Sequence, residues 1–217
     1  MKHINQRNEF DEWYARNPVG NVQTYATNEF ITRFIKPNEK RILEIGFGNG
    51  ELAKELIALG KYVRGLETSR VAYKVTGIKK PLQHERFDLG IMVEVLDHIQ
   101  HQQDYLLALK KRCKHVLILL LQDSPTNCPW HYHEGIQKML APYEVGRCNS
   151  KILQDFYNWF YTHKPYRAIG VRGGLKQKKN MVSTQKQIGK ALYYIDRLMP
   201  LKTEVLYRIW ATFPLKP

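Results

Sequence analysis

The sequence contains few cysteines, no long apolar run and far fewer acidic than basic residues. Its 217 residues include three cysteines, an odd number without a C-x-x-C pair, which argues against a disulfide framework. The longest apolar run, Val116 to Leu121, is far shorter than the ~20 residues that a membrane helix needs. The first residues contain no apolar segment typical of a secretory signal. These absences predict a cytoplasmic protein without a membrane span, and the length predicts one domain.

Positive charge is concentrated in the C-terminal third of the chain. Basic residues outnumber acidic ones 34 to 20, and residues 151–217 contain 13 of the basic and three of the acidic residues. Such a surface attracts nucleic acid, phosphorylated glycans or anionic lipids, although a soluble basic surface has the same composition. Charge therefore indicates a kind of association and leaves the chemistry open.

The stretch Arg41–Ser69 has the pattern strand, glycine loop, helix, strand, acid. An apolar run typical of a buried parallel strand leads directly into Gly46, Gly48 and Gly50, which permit unusual torsions and the close approach of a ligand. About 20 residues later the second strand ends at Glu67, where a carboxylate can accept hydrogen bonds from a ribose. The pattern predicts a site for a nucleoside-containing cofactor.

The glycine spacing selects among such cofactors. The loop reads G-F-G-N-G, with Glu44 two residues before the first glycine, whereas dinucleotide-binding proteins show G-x-G-x-x-G. It resembles the E-x-G-x-G-x-G motif of class I methyltransferases. The resemblance implies S-adenosylmethionine as cofactor, bound by Glu44, Gly46, Gly48, Asn49, Gly50 and Glu67.

A second motif follows about 40 residues later. Phe87–Val93 reads as a buried strand and is followed by E-V-L-D-H-I. This is similar to the F-D-x-(apolar)-V-L-E-H pattern of methyltransferases that act on small molecules and glycans, with Asp97 in place of the glutamate. We expect Glu94, at the end of this strand, to join the cofactor-binding residues. His98 either begins a helix and orients the loop or moves a proton.

The region Thr68–Arg86 is compressed where the family has a helix and a third strand. Many relatives carry an acid at the tip of that strand, in contact with the adenine amino group. Gln83 is the best-aligned polar residue here, and we expect it to take that position.

The loop after the strand Val116–Leu121 is the expected place of substrate chemistry. It reads L-Q-D-S-P-T-N-C-P-W-H-Y-H-E-G and contains two candidate general bases, His131 and His133. Cys128, together with these histidines and Cys148, can be drawn as a metal site, but C-x2-H-x-H matches no standard zinc spacing. We therefore predict no metal.

Strands that alternate with helices predict an α/β fold with a parallel sheet. The resemblance implies the Rossmann-like class I methyltransferase form of it, with a seven-stranded, mostly parallel sheet. In this fold the last two strands form an antiparallel edge hairpin, so we pair Tyr143–Cys148 with Val205–Phe213. The predicted regions of this single domain are a helical cap (1–40), a cofactor-binding core (41–148), a basic helical insertion (149–203) and a final strand with its tail (204–217). Tyr14 and Tyr25 of the cap pack over the cofactor or in the ordinary core.

The leading functional interpretation is methyl transfer to a small-molecule or glycan acceptor, which the basic charge allows to be anionic. One alternative is an RNA methyltransferase that grips phosphates with its basic insertion, although no N/D-P-P-Y/F sequence is present. The other is a non-catalytic binding protein that keeps the fold. The sequence leaves the oligomeric state open.

Overall fold

The computed structural model describes residues 6–16, 22–121, 135–148, 183, 186–191, 194–195 and 204–210. The helices are α1 (Gln6–Arg16), α2 (Val22–Thr32), α3 (Glu51–Ala58), α4 (Arg70–Thr76), α5 (Gln102–Lys110) and α6 (Ile136–Leu140), with 3₁₀ turns at Leu96–His98 and Ala141–Tyr143. The strands are β1 (Arg41–Ile45), β2 (Tyr62–Leu66), β3 (Phe87–Val93), β4 (Cys113–Leu121), β5 (Glu144–Cys148) and β6 (Glu204–Trp210). In these ranges no helix is both long and apolar enough to cross a membrane.

One mixed sheet organises the described chain. Its strand order is β2-β1-β3-β4-β6-β5. Strands β1 to β4 are parallel to one another, while β6 runs antiparallel to both β4 and β5. The predicted Rossmann-like fold and the predicted antiparallel pairing of the last two strands are confirmed. The four-region division of the chain stays a prediction.

Both faces of the sheet are buried, as continuous apolar strands require. Successive side chains alternate between the faces. Leu43 of β1 therefore packs with Leu106 of α5, whereas its neighbour Ile42 packs with Phe30 of α2 and Leu56 of α3. Since helices cover both faces, the open position for a ligand is the edge where β1 to β3 end.

The sheet has six strands among the described residues, one fewer than the predicted seven. Residues 77–86, between α4 and β3, contain two lysines followed by Pro81, which has no backbone N–H for a strand ladder. This segment contacts β2 through a hydrogen bond from the Gly65 N–H to the Lys79 carbonyl oxygen, at 3.1 Å. It then turns back into β3, which leaves β2 at the edge of the sheet.

Side chains cover this shortened edge. The ring of Tyr62 in β2 lies 4.5 Å from the guanidinium of Arg41 and 4.9 Å from that of Arg64. Its hydroxyl donates to Glu85 Oε1 at 2.6 Å, and Arg41 forms an ion pair with the same carboxylate. Charged groups along an edge strand hinder pairing with another sheet.

A buried ion pair joins β6 to the segment that precedes β1. Arg208 and Glu39 form this pair with 5% and 4% of their side chains exposed, and Arg208 Nη1 also donates to the Phe34 carbonyl oxygen at 2.9 Å. We expect Arg208→Met to lower the free energy of unfolding by about 3–5 kcal/mol, because Glu39 is then a buried charge without its partner. Urea unfolding measures this loss.

The double variant Glu39→Leu/Arg208→Met is the control, because it removes both charges. We expect it to lose less stability than the two single variants together. Additive losses would show that the two charges do not interact.

Candidate functional site

The glycine loop after β1 is a place of close backbone contacts. Gly46, Gly48 and Gly50 have φ angles of 69°, 52° and 71°, a region that favours glycine. A Cβ on Gly46 would lie 2.3 Å from Val95 Cγ2, and one on Gly48 would lie 2.9 Å from the Tyr14 hydroxyl. The three glycines therefore allow the loop to sit against neighbouring segments at the carboxyl end of the sheet.

Glu67 ties the end of β2 to this loop. Its Oε2 accepts a hydrogen bond from the Gly48 N–H at 3.0 Å, and its Oε1 accepts from the N–H groups of Thr68 and Ser69 at 2.7 and 3.2 Å. A carboxylate has about four acceptor positions, so it can also receive donors from a ligand. The predicted acid and the predicted loop thus lie together.

A cleft of about 740 Å³ opens beside them. This volume is within the range of small-molecule and cofactor sites. Its described walls are mainly apolar, and their ionisable groups are two carboxylates, one imidazole and two phenols. The lining residues are Phe10, Tyr14, Ile45, Gly46, Leu66, Glu67, Thr68, Val93, Glu94, Val95, His98, Ile99 and Tyr105.

Helix α1 forms the roof of the cleft. Phe10 and Tyr14, four residues apart and therefore on one helical face, both line it, and Phe10 meets His98 edge-on with ring centroids 6.3 Å apart. Between them Asp11 Oδ1 accepts from the Ser69 hydroxyl at 2.5 Å and from the Val71 N–H at 3.2 Å, at the start of α4. Asp11 therefore docks the roof.

The two tyrosines considered for the cap have different positions. Tyr14 lies over Gly48, in the cleft. Tyr25 is buried in the core, where its hydroxyl donates to Glu51 Oε2 at 3.2 Å. Sequence reasoning missed Phe10, Asp11 and Tyr105, although the four-residue spacing of Phe10 and Tyr14 was visible.

Glu44 lies buried beneath the glycine loop. Burial, reinforced by the negative charge of Glu67 and opposed by the Ala53 N–H, raises the pKa of Glu44 to about 8. Its Oε2 is buried and has no hydrogen-bond partner among the described residues. Glu44 thus offers a buried acceptor beside a second carboxylate, Glu67, and below a loop with room for a ligand. This arrangement suits a cationic group such as the ammonium of S-adenosylmethionine.

Glu94 begins the turn that follows β3. Burial raises its pKa well above the ordinary value, and the charges of Glu204 and Asp97 raise it further, while the Leu121 N–H has the opposite effect. Asp97 is buried and His98 lines the cleft.

Cys148, considered for a metal site, donates from its Sγ to Glu204 Oε2 at 3.3 Å. No group of three metal-ligating side chains occurs in the described ranges.

The predicted site residues fall into three groups. Gly46, Glu67, Glu94 and His98 line the cleft, while Gly48, Asn49, Gly50 and Glu44 belong to the adjoining loop and strand. His131 and His133, with Cys128 of the rejected metal site, lie outside the described residues.

Gln83 is the exception, because the structure places it at the other end of the sheet. It lies in the exposed turn before β3, and its carbonyl oxygen accepts from Arg112 Nη2 at 3.1 Å, just before β4 begins. The strand β3 separates it from the cleft by about 20 Å, at ~3.3 Å per residue. The segment lies beside the glycine loop at Ile78 and has passed to the amino end of β3 by Gln83. Gln83 is not among the described residues that line the cleft, so its expected adenine contact gains no support from the structure and stays a prediction.

The model of a methyltransferase domain family matches residues 12–164. The chain belongs to this family, and the class I methyltransferase recognised in the sequence is confirmed. No curated protein matches the sequence.

Solved structures share the fold at low sequence identity. Magnesium protoporphyrin IX methyltransferase of Synechocystis PCC 6803, with bound S-adenosylmethionine, is 14% identical, with 69% of this chain and 91% of that chain covered and a TM-score of 0.52. Phosphoethanolamine N-methyltransferase 2 of Haemonchus contortus, also in complex with S-adenosylmethionine, is 13% identical, with 93% and 59% covered and a TM-score of 0.52. The [4+2]-cyclase SpnF is 8% identical, with 85% and 79% covered and a TM-score of 0.53. This chain thus spans about three fifths of the nematode protein.

The role of the glycine loop can be tested with two matched glycines. A Cβ on Gly77, which has φ 71°, would meet no atom within 4 Å, whereas one on Gly46, which has φ 69°, would clash with Val95. We expect Gly77→Ala to lower the free energy of unfolding by about 1–2 kcal/mol, the penalty of the left-handed conformation. Gly46→Ala should lose about 1–3 kcal/mol more because of the clash. Equal losses in urea unfolding would contradict the close approach.

The buried Glu44 should make the cofactor-free protein less stable at high pH. Its native pKa of about 8 exceeds the ordinary 4.5, so its contribution is complete below about 4.5 and is lost as pH rises through 8. We expect stability to fall between pH 5 and 8, by at most ~1.4 kcal/mol per pH unit for this group. Glu44→Gln should reduce the dependence of the free energy of unfolding on pH, as measured by urea unfolding at several pH values. The dependence that remains then comes from Glu94. An unchanged slope would contradict a protonated Glu44.

Proposed function

We propose that this protein transfers a methyl group from S-adenosylmethionine to a small-molecule or glycan acceptor bound in the cleft. The observation that carries the proposal is the hydrogen-bonded pairing of Glu67 with the glycine loop, beside a roofed cleft of about 740 Å³. Family membership supports the reaction class. The ligands of the protoporphyrin and phosphoethanolamine methyltransferase structures support the cofactor.

The cofactor roles follow from position along the edge of the sheet. The backbone of the glycine loop packs against the methionine end and the carboxylate of Glu44 holds its ammonium, while Glu67 accepts hydrogen bonds from the ribose hydroxyls. Apolar lining residues such as Leu66 and Ile99, in place of Gln83, enclose the adenine. When bound, the cofactor supplies an electrophilic methyl group. The chain contributes orientation and, through the roof, exclusion of water.

Three histidines are proposed for the acceptor side. His98 lines the cleft and is fixed against Phe10 of the roof, so it is placed to orient the acceptor or to hold its proton. His131 and His133 keep the role of candidate bases on sequence grounds, in the loop that follows β4.

Two lysines of the basic third are engaged with the body of the protein. Lys186 Nζ lies 2.7 Å from Glu55 Oε1 on α3, and Lys190 Nζ lies 3.1 Å from Glu29 Oε2 on α2. The described lining of the cleft contains no lysine or arginine. Both observations favour a small acceptor over a nucleic acid, whose binding depends on cations that contact phosphates.

Titration calorimetry with S-adenosylmethionine and S-adenosylhomocysteine tests the proposal. We expect both to bind, with dissociation constants in roughly the 1 μM to 1 mM range of Michaelis constants. Glu67→Gln should weaken both by about 10–100-fold, because a hydrogen bond to a charged group contributes about 1.5–3 kcal/mol. Glu55→Gln, on α3 and outside the described cleft lining, is the matched control and should bind like the wild type.

The absence of both heat and thermal stabilisation would refute the cofactor assignment. Since a [4+2]-cyclase shares the fold, transfer itself needs its own measurement. Labelled cofactor incubated with fractionated cell extract should place the label in small molecules or glycans. Label in nucleic acid would support the RNA alternative, and cofactor binding without any transfer would support a non-catalytic protein.

A further inference from the structure

Glu94 is held on the side of the cleft towards β4. The strand order is β2-β1-β3-β4. Glu67 follows β2, the glycine loop follows β1 and Glu94 follows β3, so the loop lies between the two carboxylates. The N–H of Glu94 donates to the Leu119 carbonyl oxygen at 3.0 Å, and the following Val95 packs directly on Gly46. Glu94 has a φ of 52°, the single positive value among the described non-glycine residues. Its backbone is therefore fixed next to the loop, on the side away from the ribose-binding carboxylate.

The carboxyl group of Glu94 has an unfilled acceptor. It lines the cleft and accepts from the Leu121 N–H, yet its Oε1 is buried and has no hydrogen-bond partner among the described residues. A buried carboxyl oxygen without a donor is unfavourable, and such atoms need an explanation. A donor on a bound molecule supplies one.

The surrounding charges select the kind of donor. Asp97, from the 3₁₀ turn, and Glu204, from β6, both act on Glu94 as negative charges, and Glu67 is the other carboxylate in the cleft. His98 is the single described lining residue with a basic side chain. Such a site attracts cations and repels anions, although the chain as a whole carries a net charge of +14.

We propose that Glu94 binds the nucleophile of the acceptor, and that this nucleophile is an amine nitrogen. The inference rests on the proposed function and narrows it to N-methylation. It moves Glu94 from the expected cofactor-binding residues to the acceptor side. The acceptor then has a basic reacting end, although composition suggested an anionic molecule.

The proton balance of this step is simple. The amine enters as an ammonium, and the Glu94 carboxylate first takes one N–H proton from it and later passes this proton to solvent. The freed nitrogen lone pair forms the new N–CH₃ bond as the S–CH₃ bond breaks and leaves its electron pair on sulfur. The methylated amine keeps the positive charge that the sulfonium loses. Positive charge bound beside Glu94 favours the ionised form that this step needs.

Sinefungin is a suitable probe, because it replaces the methylsulfonium of the cofactor with an amine-bearing carbon. The amine then lies where methyl transfer takes place. We expect the wild-type protein to bind sinefungin at least about tenfold more tightly than S-adenosylhomocysteine, as a hydrogen bond to a charged group implies. Titration calorimetry of both ligands gives this ratio without any acceptor or turnover.

Variants assign the preference to one side chain. Glu94→Gln should bring the ratio close to one while the affinity for S-adenosylhomocysteine changes less than about threefold, which also shows that the variant is folded. Glu55→Gln should keep the wild-type ratio. A wild-type ratio near one, or a preference that survives in Glu94→Gln, would overturn the assignment of Glu94. If neither ligand binds the wild type, the proposed function fails first and this inference falls with it.

Discussion

Close backbone approach at the glycine loop is the constraint on which the rest of the structure depends. Val95 fills the space over Gly46, and the Tyr14 hydroxyl fills the space over Gly48. Ile78 fills the space beside Gly50. These contacts bring the turn after β3, the roof helix and the segment after α4 to one place. Because each neighbour occupies the volume that a Cβ would need, three glycines fix the relative position of segments far apart in sequence.

Total charge and local charge have opposite signs in this protein. The chain carries an excess of basic residues, yet the groups beneath and around the cleft are carboxylates. Burial of Glu44 and Glu94 raises both pKa values, so these acids resist ionisation until a positive group is present. Composition therefore describes the outer surface, whereas the described cleft is electrostatically prepared for cations.

Local patterns predicted what depends on local sequence. The glycine loop, Glu67 and β3 were readable because apolar runs and glycine spacing are properties of short segments. The seventh strand, Gln83 and the edge hairpin were assigned by analogy. The hairpin is confirmed, whereas residues 77–86 form no strand and turn at Gln83 and His84, before β3 begins. Asp11 escaped prediction because its partners lie about 60 positions away, a contact that only the folded chain defines.

The contact between α1 and α4 affects how a ligand enters and leaves the cleft. The roof is tied to α4 by hydrogen bonds to the carboxylate of Asp11, each worth about 1.5–3 kcal/mol as a bond to a charged group. Opening such a contact is a local event that leaves the sheet folded. Separation of α1 from α4 therefore widens the way into the cleft at the cost of these hydrogen bonds and without loss of the sheet.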